Sequence, residues 1–284
     1  MTVAAPPARS GARRRMIRPS AVTVLAALYV AILVVALVHP PLLGAADPNT
    51  TDPVSSLRPP SAAHWFGTDE LGRDIYARVV YGARYSVIIA ALAVALGLAG
   101  GIVLGLLAAL THRAVDELLS RVFDLLSAFP SILMALLFAT FFGAGTVSLT
   151  LAIGIALIPG FARLIRRQAA AIRGSEYVSA ARTLGQRYAT TVVRHILPNA
   201  VSSVLLLATI EIGTAILTVS GLSFVGLGPA RPAPEWGALL SAARDYISLA
   251  WWPTVFPGLA IVVTILAITT LGRAAQRRFQ GRRA

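Results

Sequence analysis

Residues Glu176–Asn199 read EYVSAARTLGQRYATTVVRHILPN, a polar, arginine-bearing stretch between long apolar runs. It is too charged to cross a bilayer and too regular to be a loose linker. Ala180, Ala181, Leu184 and Tyr188 fall at helical spacing. Gly185 can end or bend that first short helix. A second short helix is expected to run to about His195, where Leu197-Pro198 stops it. The expected element is a compact helix-turn-helix on one membrane face, held at both ends by spanning helices. Such an element can transmit force to a soluble partner.

Working outward, the composition is that of a membrane protein. The chain is 56% apolar and 13% charged. It has no cysteine, which excludes disulfides and thiol chemistry. All 25 basic residues are arginine. A net charge of +13 raises nucleic acid as a partner. The distribution argues against it, because the arginines sit between and beside apolar runs.

Six spans are expected. Ala21–Val38 is 18 uncharged residues, about 27 Å as helix. It follows a basic segment and reads as an uncleaved first span, since it exceeds a signal-peptide core and no small-residue cleavage site follows. Val87–Leu110 is the second span, with Gly97, Gly101 and Gly105 spaced four apart for close helix packing, within the subunit or across a dimer. Thr111–Arg121 reads as a short turn. Span three, Val122–Phe142, is expected to kink at Pro130, with Asp124 hydrated or paired to Arg121 or Arg113. Span four, Val147 to about Leu164, reads as interrupted by Pro159-Gly160. Span five runs from Ala200 to Ser220 and span six from Trp251 to Leu271. The division is a basic tail over residues 1–20, a membrane domain over 21–272 containing the polar loop 174–199, and a basic tail over 273–284.

Six spans put both termini on one side. If that side is the cytoplasm, 19 arginines lie inside and six outside. The positive-inside rule therefore places Glu176–Asn199 in the cytoplasm.

Outside, Pro41–Arg84 is proline-rich. Asp69, Glu70 and Asp74 could bind a cation or form a capped turn salt-bridged to Arg73 and Arg78; the nearby arginines favour the turn. Gly221–Ala250 reads as a partly embedded loop, with Trp236, Trp251 and Trp252 as interfacial anchors. Glu211 lies near the middle of span five, and an ionisable group there is costly. It either lines a translocation path and meets a cationic cargo, or is protonated or hydrogen-bonded at a helix contact with Thr209, Thr214 or a partner subunit.

Three segments carry a resemblance. Ser179-Ala180-Ala181, Gly185, Leu197 and Pro198 resemble the E-A-A, three residues, G, nine residues, I-x-L-P loop of ABC-importer permeases. Ser179 replaces the glutamate and His195 the isoleucine, with spacing intact. HWFGTDELGRD from His64 to Asp74 resembles the corresponding segment of the dipeptide/oligopeptide/nickel permeases, in their C-type subunit. Leu222–Gly228 and Pro234–Gly237 resemble their LSFLGLG and PEWG segments. The tail LGRAAQRRFQGRRA departs from the acidic end usual there.

The resemblance implies an all-α, type I ABC-importer permease fold. Its cargo would be peptides or a related small solute, nickel and haem included. It implies a homologous second permease, two cytoplasmic ATPase subunits that bind ATP and magnesium, and an extracytoplasmic binding protein. Glu176, Ser179, Ala180, Ala181, Leu184, Gly185, Leu197 and Pro198 would couple to the ATPase, the membrane lipid would surround the spans, and Glu211 is the candidate path residue.

The chain carries no phosphate-binding G-x-x-x-x-G-K-[ST] loop, no HExxH, no CxxC and no G-x-S-x-G. Its four histidines are scattered, with no metal-ligand spacing and no catalytic constellation. A transport subunit without cofactor is the expectation. A stand-alone ion-coupled carrier or channel using Glu211 is the alternative.

Overall fold

The structure, a computed structural model, describes residues 20–280. The first 19 residues of the basic N-terminal tail, and residues 281–284 of the C-terminal one, lie outside them. Among the described residues every regular element is a helix. Five helices are long and apolar enough to cross a membrane, and a bent pair counted as one span makes six. The six-span, all-helical expectation is met, and the structure redraws several boundaries.

Helix α1 (Ala21–Val38) starts on Ser20, whose hydroxyl accepts from the Thr23 amide. Helix α2 (Ile75–Leu110) has 36 residues, about 54 Å, and exceeds the bilayer core. Its first turns, Ile75–Arg84, belong to the proline-rich segment read as lying outside, before the second span. Asp74 caps them, its carboxylate accepting from the Ala77 amide at 2.9 Å. Helix α3 (Arg113–Ser127) occupies residues expected to form a turn and the start of a span. Helix α4 (Ser131–Phe142) follows at 92°. Pro130 therefore breaks span three outright: it lacks an N–H, and its ring disfavours helix in the residue before it. α3 is amphipathic, and two of its carboxylates pair with α5 (Thr146–Arg173). Asp124 pairs with Arg163 at 3.5 Å, not with Arg121 or Arg113, and Asp116 takes Arg166 in a two-pronged ion pair.

α5 runs unbroken through Pro159-Gly160, against the expected interruption. A proline removes one helix hydrogen bond, and the flanking turns are held by packing on α2. That α2–α5 contact is the most extensive among the described residues. Gly97, Gly101 and Gly105 all lie on it. A Cβ at Gly97 would sit 2.7 Å from Leu157 Cβ, and one at Gly105 would be 2.5 Å from the Ala162 carbonyl oxygen. The glycine stripe serves packing within the subunit.

After α5 come the short helices α6 (Glu176–Thr183) and α7 (Tyr188–Thr191), which form a hairpin. A π turn over Val192–Ile196 then leads into α8 (Leu197–Phe224). Leu197-Pro198 does not stop the helix. The Leu197 amide bonds the Val192 carbonyl five residues back, so the widened turn accommodates the proline. Helix α9 (Trp236–Ala243) folds back onto α8, and α10 (Trp252–Gln280) closes the bundle, running past Leu271 into the basic tail.

Candidate functional site

Two sites stand at opposite ends of the bundle, with a lone carboxylate between them. The first is the α6–α7 hairpin. A left-handed Gly185, at φ +80°, closes α6. Its amide donates to the Arg182 carbonyl and the Gln186 amide to the Ala181 carbonyl, the paired bonds of a Schellman ending. Val178 is buried and anchors α6, whereas Leu184 is 87% exposed. Glu176, Ser179, Ala180, Thr183 and Leu184 line one shallow open depression. The structure thus brings together four of the residues singled out by sequence, with Gly185 turning the chain beside them. Ala181 is half-buried on the inner side. Leu197 and Pro198 lie in the first turn of α8 and do not line the depression. Thr183 was missed, although its position four residues after Ser179 puts it on the same face.

The hairpin is clamped at its root. Arg173 donates to the Ala109 carbonyl at 2.7 Å, and the Tyr188 hydroxyl donates to the Leu110 carbonyl at 3.1 Å. Both acceptors are among the last carbonyls of α2, which have no partners inside their own helix. Ala109, Ala169, Ile196 and Ala200 form a small buried cluster beneath them. Arg182 lies over the Tyr188 ring, 5.6 Å from its centre, tying α6 to α7. No local sequence signal marks this clamp, because its acceptors are backbone atoms more than 60 residues away.

The second site is the cap at the far end. Asp69 is buried, with Arg73 Nε at 2.7 Å and Arg78 Nε at 3.6 Å, and Arg73 reaches Glu70 at 3.2 Å. Asp74 holds His64 at 2.8 Å while capping α2. These carboxylates are spent within a salt-bridged turn, as the nearby arginines suggested. Trp236 and Trp252 do not act as interfacial anchors. Both are buried, and their indole N–H groups donate to the Val79 and Thr68 carbonyls at 2.9 and 3.0 Å. Trp251 alone of the three is exposed. Glu235 is fully buried, accepting from Ser86 Oγ at 2.8 Å and the Ala238 amide at 2.9 Å. Burial pushes its carboxyl up, and these bonds work against that shift. Trp252→Phe keeps most of the ring packing and removes one donor. It is expected to cost about 1 kcal/mol, read from thermal unfolding in detergent.

Glu211 stands between the two sites, near the midpoint of α8. It is half-buried and faces α4 and α5. Thr209 donates to the Leu206 carbonyl instead of to Glu211. Among the described residues no hydrogen bond or ion pair reaches its carboxylate.

The class of protein that this fold defines is a helical membrane bundle, with an exposed polar hairpin bonded at its root at one end and a salt-bridged cap at the other. Residues 101–284 match the model of the binding-protein-dependent transport system inner membrane component family, and the chain belongs to that family. It is 37% identical over 258 residues to the dipeptide transport system permease protein DppC of Alkalihalophilus pseudofirmus, covering 91% of this chain and 85% of that one. It is 41% identical over 213 residues to the glutathione transport system permease protein GsiD of Pectobacterium atrosepticum, covering 75% and 71%. A solved structure of the MetNI methionine ABC transporter aligns with a TM-score of 0.59 at 18% identity, covering 71% of this chain and 95% of that one, which speaks for the fold. The chain is a multi-pass inner-membrane permease subunit of an ABC importer and not itself an enzyme. A stand-alone carrier built on Glu211 is not what the family supports.

Proposed function

We propose that this chain imports peptides, forming half of the translocation path with a homologous second permease. The likeness to dipeptide and glutathione permeases supports that cargo class. Two cytoplasmic ATPase subunits, holding ATP and magnesium, grip the α6–α7 hairpins, and an extracytoplasmic binding protein delivers cargo at the cap. Both termini then lie in the cytoplasm, a placement that the arginine distribution supports.

The observation that carries the coupling role is an exposed Leu184 on a hairpin whose root is bonded to α2. A solvent-facing leucine beside small residues is a ready contact for a groove on a partner. Tyr188 and Arg173 convert a push on the hairpin into a movement of the α2–α5 pair, because no flexible linker intervenes. ATP binding closes the ATPase pair, the hairpins follow, and the bundle changes the side to which its cavity opens.

Two experiments test this. Affinity purification from native membranes in mild detergent should recover a P-loop ATPase and a second permease. Recovery of this chain alone, transport-competent without ATP, would overturn the reading. Gly185→Ala puts a Cβ on a left-handed residue, at about 1–2 kcal/mol. No atom lies within 4 Å of that Cβ, so only the backbone turn suffers. The expected result is several-fold slower uptake per ATP hydrolysed, with normal insertion in the membrane.

A further inference from the structure

The carboxylate of Glu211 has no role in the coupling device or in the cap. It lines a small pocket with Ser131, Thr214 and Thr218, floored by Ala135, Ile153 and neighbouring apolar groups. The pocket holds about 10 Å³, the room that one water-sized group needs. The Thr218 hydroxyl donates its proton to the Thr214 carbonyl at 3.1 Å, so its oxygen offers lone pairs to anything else nearby. The Glu211 carboxylate and the Thr218 oxygen thus present acceptors to the pocket, and the Ser131 and Thr214 hydroxyls can accept as well.

The helix geometry makes this pocket reachable. α4 has 12 residues, about 18 Å, and cannot cross the bilayer core alone. The break at Pro130 therefore falls inside the membrane thickness, and Ser131 begins α4 there. Broken helices at that depth occur where they are buried in protein or line a water-filled cavity. Here Phe129, Ile132 and Leu133 beside the break, and Thr214 and Leu217 on α8, are exposed. The break thus borders a face that this subunit leaves open.

We propose that Glu211, with the hydroxyl oxygens of Ser131, Thr214 and Thr218, is a transient docking point within the membrane for a primary ammonium group carried by the cargo. One carboxylate and several neutral acceptors suit a group with three N–H donors and one positive charge. A resident metal ion is a poor fit: among the described residues no cluster of three His, Asp or Glu side chains stands close enough to hold one. An unpaired carboxylate at this depth is costly, and a passing ammonium lowers that cost only while it is bound. The site would hold a peptide amino terminus briefly and release it. This inference rests on the importer reading for its cargo.

The absence of cysteine allows a direct test. Thr214→Cys is introduced into the assembled transporter in membranes. It is titrated with a positively charged and a negatively charged methanethiosulfonate, and the mass of this chain is followed. The expected result is a preference for the cationic reagent about tenfold above that of a free thiol. That preference should disappear in the Glu211→Gln background and persist with Glu211→Asp. A thiol inert to both reagents, or a preference indifferent to Glu211, overturns the site.

Uptake of a labelled dipeptide supplies the second readout. Glu211→Gln should lower its maximal rate about tenfold, with half-saturation by loaded binding protein unchanged. ATP-driven uptake that ignores the substitution sinks the ammonium site and leaves the importer reading intact. Thiol labelling needs no ATP. A Glu211-dependent charge preference in a protein whose uptake proves independent of ATP would sink the importer reading instead.

Discussion

Leu184→Asp should reduce ATP-driven uptake by more than thirtyfold while leaving the isolated subunit as stable as before. Leu184 is 87% exposed, so in the free chain an aspartate there remains hydrated and costs little. Seated in a partner's groove, the same carboxylate loses its water without gaining a counter-charge. Burying an unpaired polar group costs at least about 2 kcal/mol, and more for a charge, which is about thirtyfold in affinity. The measurement is binding of the co-purifying ATPase to detergent-solubilised permease, alongside uptake and thermal unfolding. Unchanged ATPase binding would remove Leu184 from the docking surface and, with it, the main support for the coupling role of the hairpin. Loss of thermal stability in the free subunit would place the residue in the bundle's own packing.

Gly101→Leu should prevent folding, and its control should not. A Cβ at Gly101 would run into Phe161 Cβ and stand 2.9 Å from the Ala162 amide nitrogen. One obstacle is backbone and the other is the rigid base of a side chain, so neither can swing away. The cost is expected to exceed about 3 kcal/mol, the upper end of ordinary overpacking. The readout is the yield of monodisperse protein in detergent. Gly160→Ala is the matched control, because no atom lies within 4 Å of its Cβ. In a helix that change should be neutral or stabilise by about 0.5–1 kcal/mol. Equal yields for the two variants would mean that the α2–α5 interface gives way more easily than a close backbone contact permits.

These two residues differ in how far the sequence revealed them. Leu184 is visible as a large apolar residue beside a glycine in a polar stretch, and the likeness to the permease loop marks its place. Gly101 is visible as part of a repeated four-residue spacing, but nothing local says which helix approaches it. The same holds for Trp236 and Trp252. Tryptophan beside a span is ordinarily an interfacial anchor. Here both indoles turn inward because carbonyls at Val79 and Thr68 are within reach. Their partners are more than 150 residues away in the chain, so no window of sequence contains the pair.

The sequence by itself determined the class of fold, the spans and the polar hairpin. A bilayer leaves an apolar segment one economical way to satisfy its backbone, so hydropathy and charge, read locally, are enough. The tertiary structure alone decided what each proline does. Pro130 breaks its span, Pro159 sits in an unbroken helix and Pro198 is absorbed by a π turn. The lost hydrogen bond is the same in all three. Whether the helix survives it depends on neighbours that hold the chain in place, and those come from other helices. Glu211 follows the same logic. Its charge is written in the sequence, but only the packing of α4, α5 and α8 leaves it facing a pocket with no partner among the described residues.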